Sequence, residues 1–268
     1  MDFTLTVYKK LLESLISKGY SFIPLGDYIE SRANVDHNPF VILRHDVDRL
    51  PQNSLRTALI ENSLGIKGTY YFRIVPESFN EEIIKEISGL GHKIGYHYED
   101  VDLANREFKL NNPKTEISEE QLIDLSYKSF CKNLDKIRRV ADIKTICMHG
   151  SPLSKFDNKI IWKKYNYKNL GIIAEPYLDL NWSDFDYLTD TGRRWNGRDV
   201  SVRDKVNSNN IPGLKSTFDI INSLEKLRDR LMITVHPQRW NDNFVKWSNE
   251  LIMQNIKNII KKYLFVRS

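Results

Sequence analysis

The chain has 268 residues, of which 41% are hydrophobic and 28% are charged, so it can bury a sizeable core and does not have the composition of a disordered protein. Its 40 basic and 35 acidic residues leave a formal charge of +5 without a basic stripe, which argues against a nucleic-acid partner. The length fits one α/β barrel of about 250 residues, and we predict a single domain over residues 1–268.

The first twenty residues interrupt each apolar stretch with charges and contain no small-residue cleavage site. We therefore expect no signal peptide, no membrane span and a cytoplasmic location. Cys131 and Cys147 form no CxxC pair and are interpreted as two buried thiols.

Helical periodicity predicts a first helix over residues 5–18, within an N-terminal lead-in that extends to residue 39. Short apolar runs then alternate with helical ones, which predicts parallel strands joined by helices. The predicted strands are 40–43, 68–74, 93–98, 144–148, 171–174, 185–189 and 231–235, and the predicted helices are 52–62, 77–90, 118–139, 154–164, 216–230 and 243–263. The polar stretch 99–117 is expected to be an insertion at the rim. This order predicts a distorted (β/α)7 TIM-like barrel, with an open doubly wound sheet as the alternative.

Unusual polar residues fall at the C-terminal ends of four predicted strands. They are Asp46 and Asp48, His97, His149 and His236. In parallel α/β barrels this end carries the active site, so we expect these side chains to share one cleft.

The first of these motifs, RHDVD, contains two carboxylates on one strand face. Period-two alternation places Arg44, Asp46 and Asp48 on one side and His45 on the other. Carboxylates this close need a compensating cation, which would be a metal ion or Arg44. The alternative interpretation of RHDVD is a salt-bridged loop without a functional role. His45 is expected to point away and pack.

The second motif, GHKIGYH, places His97 on the same strand side as Gly95, where the missing side chain would leave room for a ligand. Imidazole beside carboxylate suits zinc, nickel, cobalt or manganese, so Asp48 and His97 are two candidate metal ligands. His92 begins the strand, at the stability end, and is expected to be structural.

Three further segments contain candidate residues. His149, in CMHGSP, is interpreted as a metal ligand, a substrate contact, an acid or a plain turn histidine. His236, in MITVHPQRW, is placed either to protonate a leaving group or to cap the strand. The segment 186–199 contains Arg194 and Trp195, which suit recognition of a sugar or form an ordinary rim loop. With Arg44 and Tyr98, these are the expected substrate contacts.

Together the motifs resemble the polysaccharide deacetylase family (carbohydrate esterase family 4, with a NodB-type domain and a distorted seven-stranded barrel). Over residues 41–240, RHDVD, GHKIGYH and MITVH resemble the family's motifs at the ends of its first, third and last strands. The resemblance implies that Asp46 is the general base, Asp48 and His97 are metal ligands, and His236 is the general acid. The cofactor would be a divalent metal, zinc first, with nickel, cobalt or manganese as alternatives.

The sequence departs from the family pattern in three places. Val47 separates aspartates that are adjacent in the family, so the roles of base and ligand are open to exchange, and Val101 stands where the second metal histidine is expected. The candidates for the further ligand are Glu99, Asp102 and His149. HGSP replaces the Arg-containing third motif, so that Arg44, Arg73 or Arg194 would have to steady the base.

Two functions follow from this interpretation. The first is a metal-dependent deacetylase acting on an N-acetylated sugar or sugar-nucleotide precursor in surface-polysaccharide metabolism. The alternative is a catalytically inactive barrel that binds carbohydrate or a protein partner. A phosphoesterase using the DxD pair would need further histidine and asparagine clusters.

Overall fold

The computed structural model describes residues 1–31, 38–151, 154–195, 206 and 214–265, with side chains to residue 260. Parts of three predicted segments therefore lie outside the described residues. These are residues 32–37 of the lead-in, Pro152 of HGSP, and residues 196–199 of the segment 186–199.

The strands form one parallel sheet. They are β1 (Ser21–Phe22), β2 (Phe40–Val47), β3 (Thr69–Phe72), β4 (Lys93–Tyr98), β5 (Ile143–Met148), β6 (Asp186–Thr189) and β7 (Arg230–Val235). The strand order is β5-β4-β3-β2-β7-β6, with β1 beside the start of β2, and every ladder is parallel. The chain is thus an α/β protein with a parallel sheet, as the alternation of elements predicts. Among the described residues no ladder joins β5 to β6, and an isolated parallel bridge, Thr145 to Ala174, lies beyond β5.

Helices surround and connect these strands. They are α1 (Leu5–Ser17), α2 (Leu25–Glu30), α3 (Pro51–Ser63), α4 (Glu81–Gly89), α5 (Asp100–Asn111), α6 (Glu119–Arg138), α7 (Pro176–Asp179), α8 (Thr217–Asn222) and α9 (Phe244–Phe265). Side-chain caps begin several of them: Thr4, Asn80 and Ser118 each accept a backbone N–H from the first turn of α1, α4 and α6.

Three expectations about the elements are corrected, and one segment contains a helix that was not predicted. The stretch 99–117, expected as a polar rim insertion, contains helix α5, because its polar residues are paired: Asp100 accepts hydrogen bonds from Tyr96, Ser129 and Asn133. The predicted helix 154–164 is a 3₁₀ helix, Asn158–Lys163. The predicted strand 171–174 is a single bridge, and the predicted helix 216–230 divides into α8 and the 3₁₀ turn Leu224–Lys226.

Strand β2 shows how the core leads to the site. Its alternate residues Val41 and Leu43 pack with α1 and β7 in one apolar cluster, whereas Phe40 and Ile42 pack in another with side chains of β3, β5 and β7. Arg44 continues the second face toward the C-terminal end of the strand. A continuous apolar face therefore ends in buried charged groups.

Candidate functional site

The structure brings Asp46, Asp48, His97, His149 and His236 together at the C-terminal ends of β2, β4, β5 and β7. This follows from the sheet order, because β2 lies between β3 and β7, and β4 and β5 continue beyond β3. The parallel ladders align the ends of these strands at one edge.

Asp48 lies at the centre of the group. Its Oδ1 is 3.6 Å from Nε2 of His97 and 3.6 Å from Nε2 of His149, and its Oδ2 accepts a hydrogen bond from Gln238 at 3.0 Å. Oδ1 itself is buried and has no hydrogen-bond partner among the described residues. A buried carboxylate oxygen without a donor is unfavourable unless a cation compensates it, and two imidazole nitrogens face the same atom.

The orientation of His97 suits it to bind a cation. Its Nδ1 lies 2.9 Å from the carbonyl oxygen of Cys147, so Nδ1–H donates there, and in the neutral ring the lone pair is on Nε2. Nε2 then faces Asp48 and also Oδ2 of Asp46, at 3.7 Å. A backbone carbonyl that fixes the second nitrogen in this way is typical of metal-binding histidines.

Asp46 is held by Arg44 in a bidentate ion pair. The guanidinium donates to both carboxylate oxygens, at 2.7 and 2.6 Å, and also to the hydroxyl of Tyr177 at 3.1 Å. Burial acts to raise the pKa of Asp46, but Arg44 and His97 outweigh it and lower that pKa to about 2. Asp46 is therefore ionised at neutral pH, with both oxygens engaged.

His149 is positioned by a second buried ion pair. Its Nδ1 lies 3.2 Å from Oε2 of Glu99, and Arg73 donates to both oxygens of Glu99 at 2.8 Å. Arg73 also donates to the backbone oxygen of Asp48 at 3.0 Å. Burial raises the pKa of Glu99, but His149 and Arg73 more than offset it, so the pKa lies below its ordinary value. Glu99 thus orients the imidazole rather than facing Asp48.

His236 is fixed by Asp190, a residue that the sequence interpretation did not assign. Nδ1 of His236 lies 2.6 Å from Oδ1 of Asp190, which also accepts from Arg239 at 2.8 Å, and Oδ2 of Asp190 accepts from the indole of Trp240 at 2.8 Å. Nε2 of His236 lies 4.0 Å from Oδ2 of Asp48. Asp190 directly follows β6, so the strand-end rule that selected the other residues also applies to it.

A second group of possible ligands lies deeper. Ligand atoms of Asp46, His97 and Cys147 all lie within 4.8 Å of one another, and all three residues are buried. This Asp-His-Cys group could bind a metal. Cys147 was interpreted as a plain buried thiol, but it is the register partner of His97 across β4 and β5.

A cavity of about 710 Å³ opens from Asp48 and His149. Its cationic lining residues are Arg49, Arg73, Arg106, Arg239 and Lys257. Helix α9 forms one wall and α5 contributes to another. The site is therefore accessible to a small molecule.

Three expected substrate contacts lie away from this cavity. Tyr98 is fully buried, and its hydroxyl accepts from the indole of Trp162 at 2.9 Å, because alternation turns it to the face opposite His97. Trp195 is 4% exposed and donates to Thr217 at 2.9 Å, so its indole is part of the core. Arg194 is exposed but does not line this cavity. Of the four expected substrate contacts, only Arg44 is connected to the described site residues, by its ion pair with Asp46.

The space expected beside Gly95 is filled. A Cβ atom at this position would lie 2.3 Å from the ring of Tyr71 and 3.0 Å from the backbone oxygen of Thr145. The expectation of a ligand space there was wrong, because the glycine admits an aromatic ring from the neighbouring strand β3.

The remaining two motif histidines lie on the opposite face of the sheet, around Glu61. His45 is buried, stacks on Tyr70 at 4.0 Å and lies 2.9 Å from Glu61. His92 accepts from the backbone N–H of Gly68 at 3.2 Å, so its other nitrogen donates to Ala58. Both placements are structural, as predicted.

Comparisons with known proteins give a distant likeness to a solved structure. No protein-family model and no curated protein matches the chain. A solved structure of a mutant CE4-family pseudoenzyme is similar with 14% identity and a TM-score of 0.42, over 85% of this chain and 64% of that one. The chain therefore spans less than two thirds of that protein's length.

Proposed function

We propose that the chain is a metal-dependent deacetylase, a C–N hydrolase acting on an N-acetylated sugar or sugar precursor in surface-polysaccharide metabolism in the cytoplasm. The proposal includes one domain over residues 1–268 and a distorted seven-stranded barrel. The observation that carries it is the buried Oδ1 of Asp48, which has no hydrogen-bond partner in the described part of the chain and is faced at 3.6 Å by one nitrogen each of His97 and His149.

We assign Asp48, His97 and His149 as the metal ligands. The deeper Asp-His-Cys group would need Asp46 as a ligand, but both oxygens of Asp46 already accept hydrogen bonds from Arg44. Oδ1 of Asp48, in contrast, has no donor among the described residues. Two imidazoles and one carboxylate are a common catalytic zinc set, and nickel, cobalt or manganese also suit them. When bound, the metal would polarise the acyl oxygen and lower the pKa of a water molecule.

The other charged groups of the site then take the proton-transfer roles. Asp46, kept ionised by Arg44, is in the form that accepts a proton from the attacking water. His236 is held through Nδ1 by Asp190, so Nε2 is the atom that donates a proton to the departing amine as the C–N bond breaks. Arg73 and Glu99 keep His149 in place.

Acetate release tests the proposal. The purified chain, supplied with zinc, is assayed against N-acetylated sugars and sugar nucleotides, and we expect turnover that a chelator abolishes. Asp48→Asn and His149→Ala should lower it by about 100-fold or more, because each removes a ligand. Asp124→Asn, at a surface carboxylate paired with Lys164, is the matched control and should leave turnover unchanged. Unaltered acetate release in Asp48→Asn would contradict the proposal.

One observation favours the alternative of a carbohydrate-binding, non-catalytic barrel. Both oxygens of Asp46 are engaged by Arg44, which limits its capacity as a base. This alternative predicts glycan binding by calorimetry that is unchanged by chelator, with no acetate released.

A further inference from the structure

Helix α9 is packed with its polar side inward. Its buried residues are Glu250, Gln254 and Asn258, spaced by four along the helix. Phe244, the first residue of the helix, is 65% exposed, and six further large apolar residues are exposed by 46 to 64%; these are Val245, Ile252, Met253, Ile256, Ile259 and Ile260. At about 100° per residue, these six residues fall within an arc of about 120°, opposite the buried polar three.

Specific polar contacts fix this orientation. Glu250 forms an ion pair with Arg49, and Asn258 donates to the backbone oxygen of Gly192 at 2.8 Å and accepts from Gln254 at 2.8 Å. On the same side the indole of Trp247 donates to the backbone oxygen of Asp2 at 2.7 Å. The helix cannot rotate its apolar side inward without breaking these bonds, so the exposed apolar face, from Val245 to Ile260, is part of the fold.

The charge of α9 selects the kind of surface that would cover this face. The helix sequence contains four lysines and one glutamate, and the glutamate is turned inward against Arg49. Lys246 and Lys257 are exposed and lie next to each other along one edge of the apolar arc. A second copy of the chain would bring like charges together, whereas an anionic surface would complement them. No described helix is both long and apolar enough to cross a bilayer.

We propose that α9 is an interfacial helix that binds the surface of an anionic lipid membrane through its apolar face and the lysines along one edge of that face. An apolar stripe bordered by lysines is the pattern of helices that lie in the plane of a bilayer surface. Lys257 and Ile260 also line the cavity of the candidate site, so the mouth of that cavity opens beside the lipid surface. The inference concerns binding alone and does not depend on which reaction the site performs.

Vesicle flotation with the full chain tests the proposal. We compare vesicles of mixed phosphatidylglycerol and phosphatidylcholine with vesicles of phosphatidylcholine alone. The chain should float with the anionic vesicles, bind neutral ones much more weakly, and be released by high salt. The double variant Ile252→Asn with Ile256→Asn should bind the anionic vesicles at least about tenfold more weakly, because two apolar anchors are lost.

The matched control changes two exposed leucines elsewhere. Leu59 and Leu110 are 51% and 83% exposed, on α3 and α5, and changing both to Asn should leave flotation unchanged. Urea unfolding of each variant confirms that it is folded. Equal flotation of the α9 variant and the wild type would overturn the proposal. A dimer in sedimentation velocity that the same variant dissociates, without vesicle binding, would assign the face to a second copy instead.

Discussion

Asp190 shows how one buried carboxylate can hold a histidine, here His236, which we propose as the general acid. It accepts hydrogen bonds from the ring and backbone nitrogens of His236, and it balances the charge of the buried Arg239. Burial acts to raise the pKa of Asp190, but Arg239 and His236 lower it below its ordinary value. In the proposed reaction Asp190 therefore acts through His236, as a positioning residue.

Asp190→Asn should reduce both stability and turnover. The substitution leaves the buried guanidinium of Arg239 without its counter-charge, which costs about 3–5 kcal/mol. We expect a lower urea midpoint and a fall in kcat with little change in KM, since Asp190 is fully buried behind His236. Asp190→Glu, which keeps the charge, should recover part of kcat. An unchanged kcat in Asp190→Asn would show that Asp190 does not position His236 for the reaction.

At the scale of elements, Glu61 of α3 connects α1, the strands β2 and β3, and His92 before β4, on the side of the sheet away from the site. Its Oε1 accepts from the hydroxyls of Tyr8, at 2.6 Å, and Tyr70, at 2.8 Å, and lies 2.9 Å from His45. Burial acts to raise the pKa of Glu61, but the facing histidines and Tyr8 lower it from 4.5. Burial also lowers the pKa of His92 below 6.5.

This network predicts a loss of stability in acid. Below about pH 6.5 the unfolded chain binds a proton on His92 that the folded chain resists, and below about pH 4.5 the same holds for Glu61. Glu61→Gln should lower the free energy of unfolding at pH 7 by about 3 kcal/mol, because His45 and both tyrosines lose a charged partner. Urea titrations at pH 7, 5 and 4 should show this difference shrinking at the lowest pH. A constant difference would contradict the linkage.

The sequence predicts the limits of a helix or strand well where its apolar periodicity is clear and polar residues mark its ends. Strand β4 and helix α3 lie within a residue of their predicted limits, because each has a clear periodicity and defined ends. Helix α5 was taken for a polar insertion because Asp100 and Asp102 occupy buried positions. The partners of Asp100, Ser129 and Asn133, come from α6, about 30 residues later, and a local sequence pattern does not reveal such pairings.

For the whole molecule, strand order determines the site. The rule that polar residues at parallel strand ends converge was sufficient to select Asp46, Asp48, His97, His149 and His236. It could not show that Arg44 occupies both oxygens of the first carboxylate, since that depends on side-chain rotamers. It also could not show that the helix after β7 turns its isoleucines outward, because periodicity gives a face and not its direction.

The central claim is that side chains from three strand ends bind one metal ion. The most direct test is anomalous diffraction at the zinc edge from crystals grown with zinc. We expect one strong peak within about 2.3 Å of Oδ1 of Asp48 and Nε2 of both His97 and His149. Crystals of Asp48→Asn grown in the same way should lack it. A peak bound by Asp46 and Cys147, or none at all in the wild-type crystals, would contradict the assignment.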